Sequence, residues 1–199
     1  VGMSAIRYGL VGFGGIAEGR IAPEGFALDQ GRFEPLREAA LVAAASRSDL
    51  RKAVAERLGL RWYETVEELL DSPEIDAVFV ASNNLSHFDH GMAALRAGKH
   101  LILDKPITTT LEEADALIAE AEKRGLSLGI NHMMVHNSLN RKARELVLQG
   151  AIGTVGDIVL HLEFPFGQNP AERKSWRCAV PEERGGPIGD VGSHALYMA

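Results

Sequence analysis

The sequence predicts an α/β fold in which helices cover both faces of a parallel sheet. Between Ile6 and Ile130, short apolar runs alternate with amphipathic stretches, which is typical of strands that are each followed by a helix. Helix-end signals fall between those runs: Gly98 is placed as a C-cap glycine, and Thr65–Glu68 and Thr109–Glu112 are spaced as capping boxes. Alternating strands and helices of this kind bury both faces of a sheet.

Five apolar runs are the predicted strands of this sheet. They cover residues 6–12, 41–45, 77–81, 100–103 and 126–130. The helical stretches between them cover residues 48–58, 85–97 and 111–124, and a further short helix follows Thr65. The order of these elements predicts a doubly wound arrangement.

The pattern changes after Asn131, where we place a domain boundary between residues 3–131 and residues 132–199. Residues 137–149 are predicted to form a helix that ends at Gly150. Apolar residues then alternate with mostly polar ones from Ile158 to Phe164, which indicates a half-exposed strand of an open, mostly antiparallel sheet. The second domain is therefore expected to be of the α+β class.

Composition excludes several classes of function. The 199 residues carry 21 basic and 27 acidic side chains, a net charge of -6, which argues against a nucleic-acid partner. No apolar run approaches the ~18 residues of a membrane span, so no membrane partner is expected. The sequence has neither a signal-peptide pattern nor a second cysteine beside Cys178, which favours a cytoplasmic protein without an intramolecular disulfide.

A glycine-rich turn follows the first predicted strand and opens a helix. Its sequence matches the G-x-G-x-x-G/A form of the dinucleotide-binding fingerprint. In that fingerprint the glycines permit a tight turn and a close approach of the backbone to a pyrophosphate at the helix N-terminus. The alternative is a structural turn. The predicted cofactor-binding residues here are Gly12, Phe13, Gly14, Gly15, Ile16 and Ala17.

The end of the second strand predicts which dinucleotide is bound. NAD sites place an acidic residue there, whereas this sequence has Ser46 and Arg47. A guanidinium beside hydroxyl groups suits a 2′-phosphate, so we predict NADP. If Arg47 is instead a solvated surface residue, NAD remains the alternative. An insertion around Pro23 to Pro35 lengthens the crossover and leaves the register of the second strand open.

Two further segments carry groups that can move protons. Lys105 follows the predicted strand 100–103, and ligands of open α/β sheets bind at the carboxyl ends of strands. Asp190 and His194 are four residues apart and share a face if this segment is helical. Each feature also has a plainer interpretation: a solvated lysine, a capping aspartate and a structural histidine.

Several segments together resemble the Gfo/Idh/MocA oxidoreductase family, which includes glucose–fructose oxidoreductase, inositol dehydrogenase and dimeric dihydrodiol or xylose dehydrogenases. The matching segments occur in the family's order and span nearly the whole chain. They are residues 12–17, 81–87, 97–106, 129–132, 175–177 and 185–194. The resemblance implies an N-terminal Rossmann domain and hydride transfer between a nicotinamide cofactor and a sugar, polyol or related hydroxy or carbonyl compound.

The resemblance also implies roles for individual residues. Lys105 and His194 would be the catalytic pair, and Asp190 would position the substrate with them. Trp176 would stack on a sugar face with Arg177 beside it, although packing of their loop is an equal alternative. The remaining cofactor-lining residues would be Ser82, Asn84, His87, Asp104, Lys105 and Asn131.

Three departures from the family pattern bear on these roles. Asp104 replaces the usual Glu, which shortens the side chain but keeps its charge, and Asn83 replaces Pro, which loosens its loop. Ser46 and Arg47 resemble the NADP-binding members. No metal is predicted, because the pairs His87–His90 and His132–His136 each lack an evident third ligand.

Other functions stay open at this point. One is a module that senses a dinucleotide without turning it over, and another is an enzyme that retains its cofactor, such as a redox-assisted glycosidase. Residues 132–199 look like only the first part of a substrate and oligomerisation domain. We therefore expect a truncated chain, or a homo-oligomer in which another chain supplies the missing strands.

Overall fold

The first of two structural units is built on one parallel sheet. The computed structural model describes residues 5–163, 171, 180–183 and 187–199, and the chain divides into Val1–Ile130 and Asn131–Ala199. The sheet of the first unit has the order β3-β2-β1-β4-β5-β6, and every neighbouring pair is parallel. Its strands are β1 (Ile6–Val11), β2 (Ala39–Ala45), β3 (Arg61–Tyr63), β4 (Ala77–Val80), β5 (His100–Leu103) and β6 (Leu128–Ile130).

Helices connect successive strands of this sheet. The glycine-turn helix, of π type, comes first and is followed by four α-helices and two short 3₁₀ turns. These elements are the glycine-turn helix (Ala17–Gly25), the turn Asp49–Arg51, α1 (Lys52–Arg57), α2 (Val66–Asp71), the turn Asn84–Ser86, α3 (His87–Arg96) and α4 (Leu111–Arg124). This is the Rossmann architecture that the alternation of strands and helices predicts.

Two buried clusters lie on the two faces of the sheet. Because side chains alternate along a strand, Leu10 joins one cluster and Val11 the other. The Leu10 cluster includes Phe13 and Ala17 at the start of the glycine-turn helix. The Val11 cluster includes the buried leucines of α2, α3 and α4, which are Leu69, Leu70, Leu95 and Leu117.

The helix ends largely follow the predicted signals. Thr65 caps α2, with its hydroxyl accepting from the Glu68 N–H at 3.1 Å. The predicted Thr109–Glu112 capping box is wrong by one residue. Thr110 has the extended backbone of an N-cap and accepts from the Glu113 N–H at 3.3 Å, while the Glu113 carboxylate reaches back to the Thr109 N–H.

The amino-terminal edge of the sheet is tied by charged side chains. The Arg7 guanidinium donates to both oxygens of Asp76, at 2.9 and 2.7 Å, and to the Pro73 carbonyl. These bonds, with one from the Arg7 N–H, hold the pKa of Asp76 at about 2, below its ordinary 3.8. The Lys99 ammonium donates to the Ser72 and Ile75 carbonyls at 2.8 and 2.9 Å.

The second unit is mainly helical in the residues that the structure describes. It contains the turn Met133–His136, α5 (Ser138–Leu148), the turn Pro181–Glu183, the π-type turn Pro187–Gly192 and α6 (Ser193–Met198). The strand predicted over 158–164 is not formed across residues 158–163, because no described residue supplies a pairing strand. Across the described parts of both units, no helix is long and apolar enough to cross a membrane.

Candidate cofactor site

The carboxyl ends of the strands stop in one row. Val11 pairs with Ala45 on one side and with Val80 on the other, and Val80 in turn pairs with Leu103. The residues after these ends therefore lie along one edge of the sheet. They are the segments that begin at Gly12, Ser46, Ala81 and Asp104. The chain reverses its direction of winding between β1 and β4, where open α/β sheets bind ligands.

Gly12 lies where two of these segments approach each other very closely. Its φ is +90°, and a Cβ placed on it would lie 2.6 Å from the backbone nitrogen of Ser82. Its own N–H donates to the Ala45 carbonyl at 2.8 Å. Gly12 therefore packs the turn against both neighbouring segments, whatever the turn binds.

The rest of the turn divides into buried and open positions. Phe13 is buried and meets Trp62 edge to face, and Ala17 is fully buried at the start of its helix. In contrast, a Cβ on Gly14 would meet no atom within 4 Å, and the Ile16 side chain is partly exposed. The space over Gly14 is where a pyrophosphate would approach the backbone, so the turn fits a dinucleotide.

Polar and basic side chains follow β2. The pairing of β2 with β1 fixes the register that the insertion had left open, and it places Ser46 directly after Ala45, beside Gly12. Ser46 is half-buried and Arg47 is exposed. Arg51 lies near the glycine turn, with its Nη2 3.9 Å from the Cβ position of Gly15, and its Nε donates to Glu18 at 2.5 Å.

Two histidines support the segment after β4. The His87 ring is buried, with Nδ1 2.7 Å from the Pro106 carbonyl and Nε2 3.2 Å from the Ser82 carbonyl. The ring thus links two segments of the edge through their backbones. His90 Nδ1 lies 3.0 Å from the Ser82 hydroxyl, and burial lowers the His90 pKa. Asn84 is buried in the same segment.

Lys105 lies at the same edge after β5. The Asp104 N–H donates to the Val80 carbonyl at 2.8 Å, and the Asp104 carboxylate accepts from the Lys105 N–H at 3.0 Å. Asp104 therefore continues the sheet pairing for one residue and turns the chain at Lys105. The Lys105 side chain is half-buried. Asn131 directly follows β6, whose last residue Ile130 pairs with Leu103.

In the second unit, Asp190 and His194 lie on one run of helical backbone. Asp190 is in the turn Pro187–Gly192 and His194 is in α6, so the predicted spacing of four residues is helical. The His132 ring stacks on Tyr197 at 3.8 Å and meets His194 edge to face at 6.4 Å. Trp176 and Arg177 lie outside the described residues.

Metal ligands do not cluster in the described parts of the chain. No group of three or more His, Cys, Asp or Glu side chains there could hold a metal ion. In the pair His87–His90, both ring nitrogens of His87 lie within hydrogen-bond distance of backbone carbonyls, and His90 Nδ1 lies within that distance of the Ser82 hydroxyl.

Family models match both units of the chain. The model described as an oxidoreductase family with an NAD-binding Rossmann fold matches residues 6–132, and the GFO/IDH/MocA C-terminal domain model matches residues 140–199. The chain belongs to the Gfo/Idh/MocA oxidoreductase family. Its parallel sheet, in the order β3-β2-β1-β4-β5-β6, has the Rossmann fold that the first of these models describes.

Two curated relatives are named as reductases of sugars or sugar derivatives. A dTDP-3,4-didehydro-2,6-dideoxy-alpha-D-glucose 3-reductase of Actinomadura kijaniata is 35% identical over 98% of this chain and 55% of its own length. A 1,5-anhydro-D-fructose reductase of Ensifer adhaerens is 36% identical over 65% of this chain and 38% of its own length. The chain thus spans about half the length of the curated relatives it matches or less.

Two solved structures share this fold. A 3-ketoreductase of Actinomadura kijaniata, in complex with NADP and TDP-benzene, matches with a TM-score of 0.64 and 36% identity, over 74% of this chain and 43% of that one. An NAD binding oxidoreductase of Klebsiella pneumoniae matches with a TM-score of 0.79 over 98% of this chain and 52% of that one. The latter is 23% identical and bears on the fold alone.

Arg51 and His90 lie at the edge of the site without having been predicted there: Arg51 was not singled out in the sequence, and His90 was considered only with His87 as a metal-binding pair. Arg51 comes four residues after Arg47, and a second guanidinium so soon after the predicted strand end is the signal that could have marked it. The contact between His90 and Ser82 spans the turn Asn84–Ser86 and has no signature in the sequence pattern.

Proposed function

We propose that this protein is an NADP-dependent oxidoreductase that acts on a CH–OH group, or the corresponding carbonyl, of a sugar or polyol. The observation that carries the proposal is the row of strand ends. That row brings the glycine turn, the Ser46–Arg47 segment and the Lys105 segment to one edge, at the reversal between β1 and β4.

The cofactor would be held by groups along this edge. The open backbone at Gly14 and Gly15 would take the pyrophosphate at the start of the glycine-turn helix. Ser46 and Arg47 would take the 2′-phosphate, because a hydroxyl and a guanidinium both donate to phosphate oxygens. Ser82, Asn84 and His87 would shape the middle of the site, with Asp104, Lys105 and Asn131 further along. The xylose dehydrogenase among the relatives is named for NADP(+).

Proton transfer would fall to Lys105 and His194. When bound, the nicotinamide supplies the hydride acceptor or donor. In oxidation, His194 with Lys105 would take the hydroxyl proton, and in reduction they would return it. The Lys105 ammonium would also stabilise negative charge on the substrate oxygen. Asp190 would accept hydrogen bonds from other substrate hydroxyls, one helical turn before His194.

The substrate class follows from the same residue types. Carboxylate, imidazole, ammonium and amide groups suit a molecule with several hydroxyls, and relatives in this family are named for sugar and inositol substrates. Trp176 and Arg177 are proposed to contact the sugar as well. A homo-oligomeric state, a cytoplasmic location, and a substrate and oligomerisation role for residues 132–199 remain predictions from the sequence.

Cofactor titration followed by a turnover assay tests this proposal. NADPH and NADH are titrated by the fluorescence of the reduced nicotinamide, and absorbance then reports oxidation or reduction with a panel of sugars, polyols and their keto forms. We expect NADPH to bind more tightly than NADH and at least one substrate pair to turn over. Binding without turnover across the panel would instead support a dinucleotide sensor.

The Arg47→Asp variant tests the choice of cofactor. A carboxylate after β2 repels a 2′-phosphate and accepts from a 2′-hydroxyl, so we expect preference to shift toward NADH by about tenfold or more. Arg144→Asp makes the same change of charge at an exposed position of α5 and serves as the control. An unchanged ratio of NADPH to NADH affinity in Arg47→Asp would remove Arg47 from the site.

A further inference from the structure

Glu18 puts a carboxylate in the first turn of the glycine-turn helix. Its backbone N–H donates to the Gly14 carbonyl at 2.9 Å, which fixes the residue to the turn itself. An unpaired carboxylate at this place would repel an anionic dinucleotide, because the helix N-terminus is where the phosphates would lie. The carboxylate is half-exposed and pairs with Arg51 at 2.5 Å.

Arg51 reaches this carboxylate from the segment after β2. It ends the turn Asp49–Arg51, four residues beyond Arg47. Its Nε is engaged by Glu18, while its Nη2 lies 3.9 Å from the Cβ position of Gly15. The guanidinium therefore lies beside the glycine turn, while its backbone belongs to the segment that follows β2. A dinucleotide with a 2′-phosphate would span these two parts of the site.

The ion pair weakens what Arg51 can do for a phosphate. A guanidinium that is already paired presents a dipole rather than a net charge, and the neighbouring carboxylate repels each added anionic group. The opposing effect would be larger for NADPH than for NADH, because a 2′-phosphate held by Ser46 and Arg47 would add negative charge on the segment that also carries Arg51. Glu18 therefore acts against the preference that Ser46 and Arg47 create.

We propose that Arg51 is a second phosphate-binding cation and that Glu18, by holding it, restrains the selectivity for NADP over NAD. The inference rests on the proposed function, since it concerns the same cofactor site. In this proposal Arg51 contacts the 2′-phosphate of the cofactor. Glu18 determines specificity through its ion pair with Arg51.

Glu18→Gln is the variant that tests the inference. The amide keeps the size of the side chain and removes its charge. We expect the dissociation constant for NADPH, measured by fluorescence, to fall about three- to fivefold, which is the upper range for an exposed ion pair. The constant for NADH should change by less than about twofold. Thermal unfolding shows whether the variant is folded.

Two further variants separate the inference from a general effect of charge. Glu24→Gln removes a carboxylate that pairs with Arg20 in the last part of the same helix, and we expect it to leave both constants unchanged. In an Arg51→Gln background, Glu18→Gln should no longer favour NADPH over NADH. Equal effects of Glu18→Gln and Glu24→Gln, or a gain that survives in Arg51→Gln, would overturn the inference.

The failure of the inference is distinguishable from the failure of the proposed function. If the unaltered protein prefers NADPH and Glu18→Gln changes neither constant, only the role of Glu18 is wrong. If the unaltered protein binds neither NADPH nor NADH, the proposed function and this inference are both wrong.

Discussion

The two edges of the parallel sheet use charged side chains in opposite ways. At the amino-terminal edge, Arg7 and Asp76 bind one another, and Lys99 donates to two backbone carbonyls. At the carboxyl-terminal edge, glycines, hydroxyls and Lys105 gather where the strands end. Lys99 directly precedes β5, and Lys105 comes two residues after it. The same side chain therefore supports the structure at Lys99, before its strand, and is a candidate for chemistry at Lys105, after its strand.

Lys105→Met gives the largest effect that we expect. Removing the ammonium takes away a proton carrier and a charge that stabilises the substrate oxygen, so kcat should fall about 10²- to 10⁴-fold. The measurement is steady-state turnover with NADPH and a substrate found in the panel. Retention of kcat within about tenfold would exclude Lys105 from the chemistry.

Gly12→Ala should destabilise the protein more than any other single methyl added to the glycine turn. The new Cβ would lie 2.6 Å from the Ser82 nitrogen at a φ of +90°. We expect the free energy of unfolding to drop by about 2–4 kcal/mol in urea denaturation.

Gly14→Ala is the matched comparison for that change. Its Cβ would meet open space, so stability should change by less than about 1 kcal/mol, while the added methyl should weaken NADPH binding. Equal stability losses in the two variants, with no change in binding for Gly14→Ala, would contradict the division between a packing glycine and a binding glycine.

Lys99→Met tests whether the lysine at the amino-terminal edge, in contrast to Lys105, has a structural role only. It leaves the Ser72 and Ile75 carbonyls without their charged donor, which should lower the free energy of unfolding by about 1–3 kcal/mol. The dissociation constant for NADPH should stay the same, because Lys99 is at the opposite edge. A loss of NADPH binding in a folded Lys99→Met variant would break the comparison of the edges.

The smallest effect that we expect is the change in stability when Asp76, at the amino-terminal edge, is titrated with acid. The pKa of Asp76 is lowered on folding, from 3.8 to about 2. Its contribution to stability is therefore complete above about pH 4 and is lost as the pH falls through about 2. After allowance for solvent exposure we expect about 1 kcal/mol. Denaturation across this pH window should show a shallower loss of unfolding free energy with falling pH in Asp76→Asn than in the unaltered protein. Equal slopes in the two proteins would rule out a stabilising ion pair.

The sequence predicted those elements whose signals are local. β5 and α4 have their predicted bounds, because a buried apolar run and an amphipathic stretch with clear ends each specify one structure. β3 was missed, since Arg61, Trp62 and Tyr63 show neither an apolar run nor a long alternation. That strand exists because its neighbour β2 supplies the pairing.

The sequence predicted the parts of the candidate site that directly follow strands. The Gly12, Ser46 and Lys105 segments follow predicted strands, so their placement at one edge came from topology alone. In contrast, the Glu18–Arg51 pair joins residues that are 33 positions apart, and the His87 ring contacts the backbones of two separate segments. Such contacts arise only when the chain folds, so no local sequence pattern predicts them. Residues 158–163 show the opposite case, because an alternating pattern needs a partner strand to become β-structure.

Residue-resolved NMR during NADPH titration tests the central claim, that the carboxyl-terminal edge is the cofactor site and the amino-terminal edge is structural. Amide signals of Gly12 to Ala17, Ser46, Arg47, Ser82 and Lys105 should shift with NADPH, while those of Arg7, Asp76 and Lys99 should stay unchanged. Shifts that centre on the amino-terminal edge, or unchanged carboxyl-edge signals at saturating NADPH, would contradict the claim.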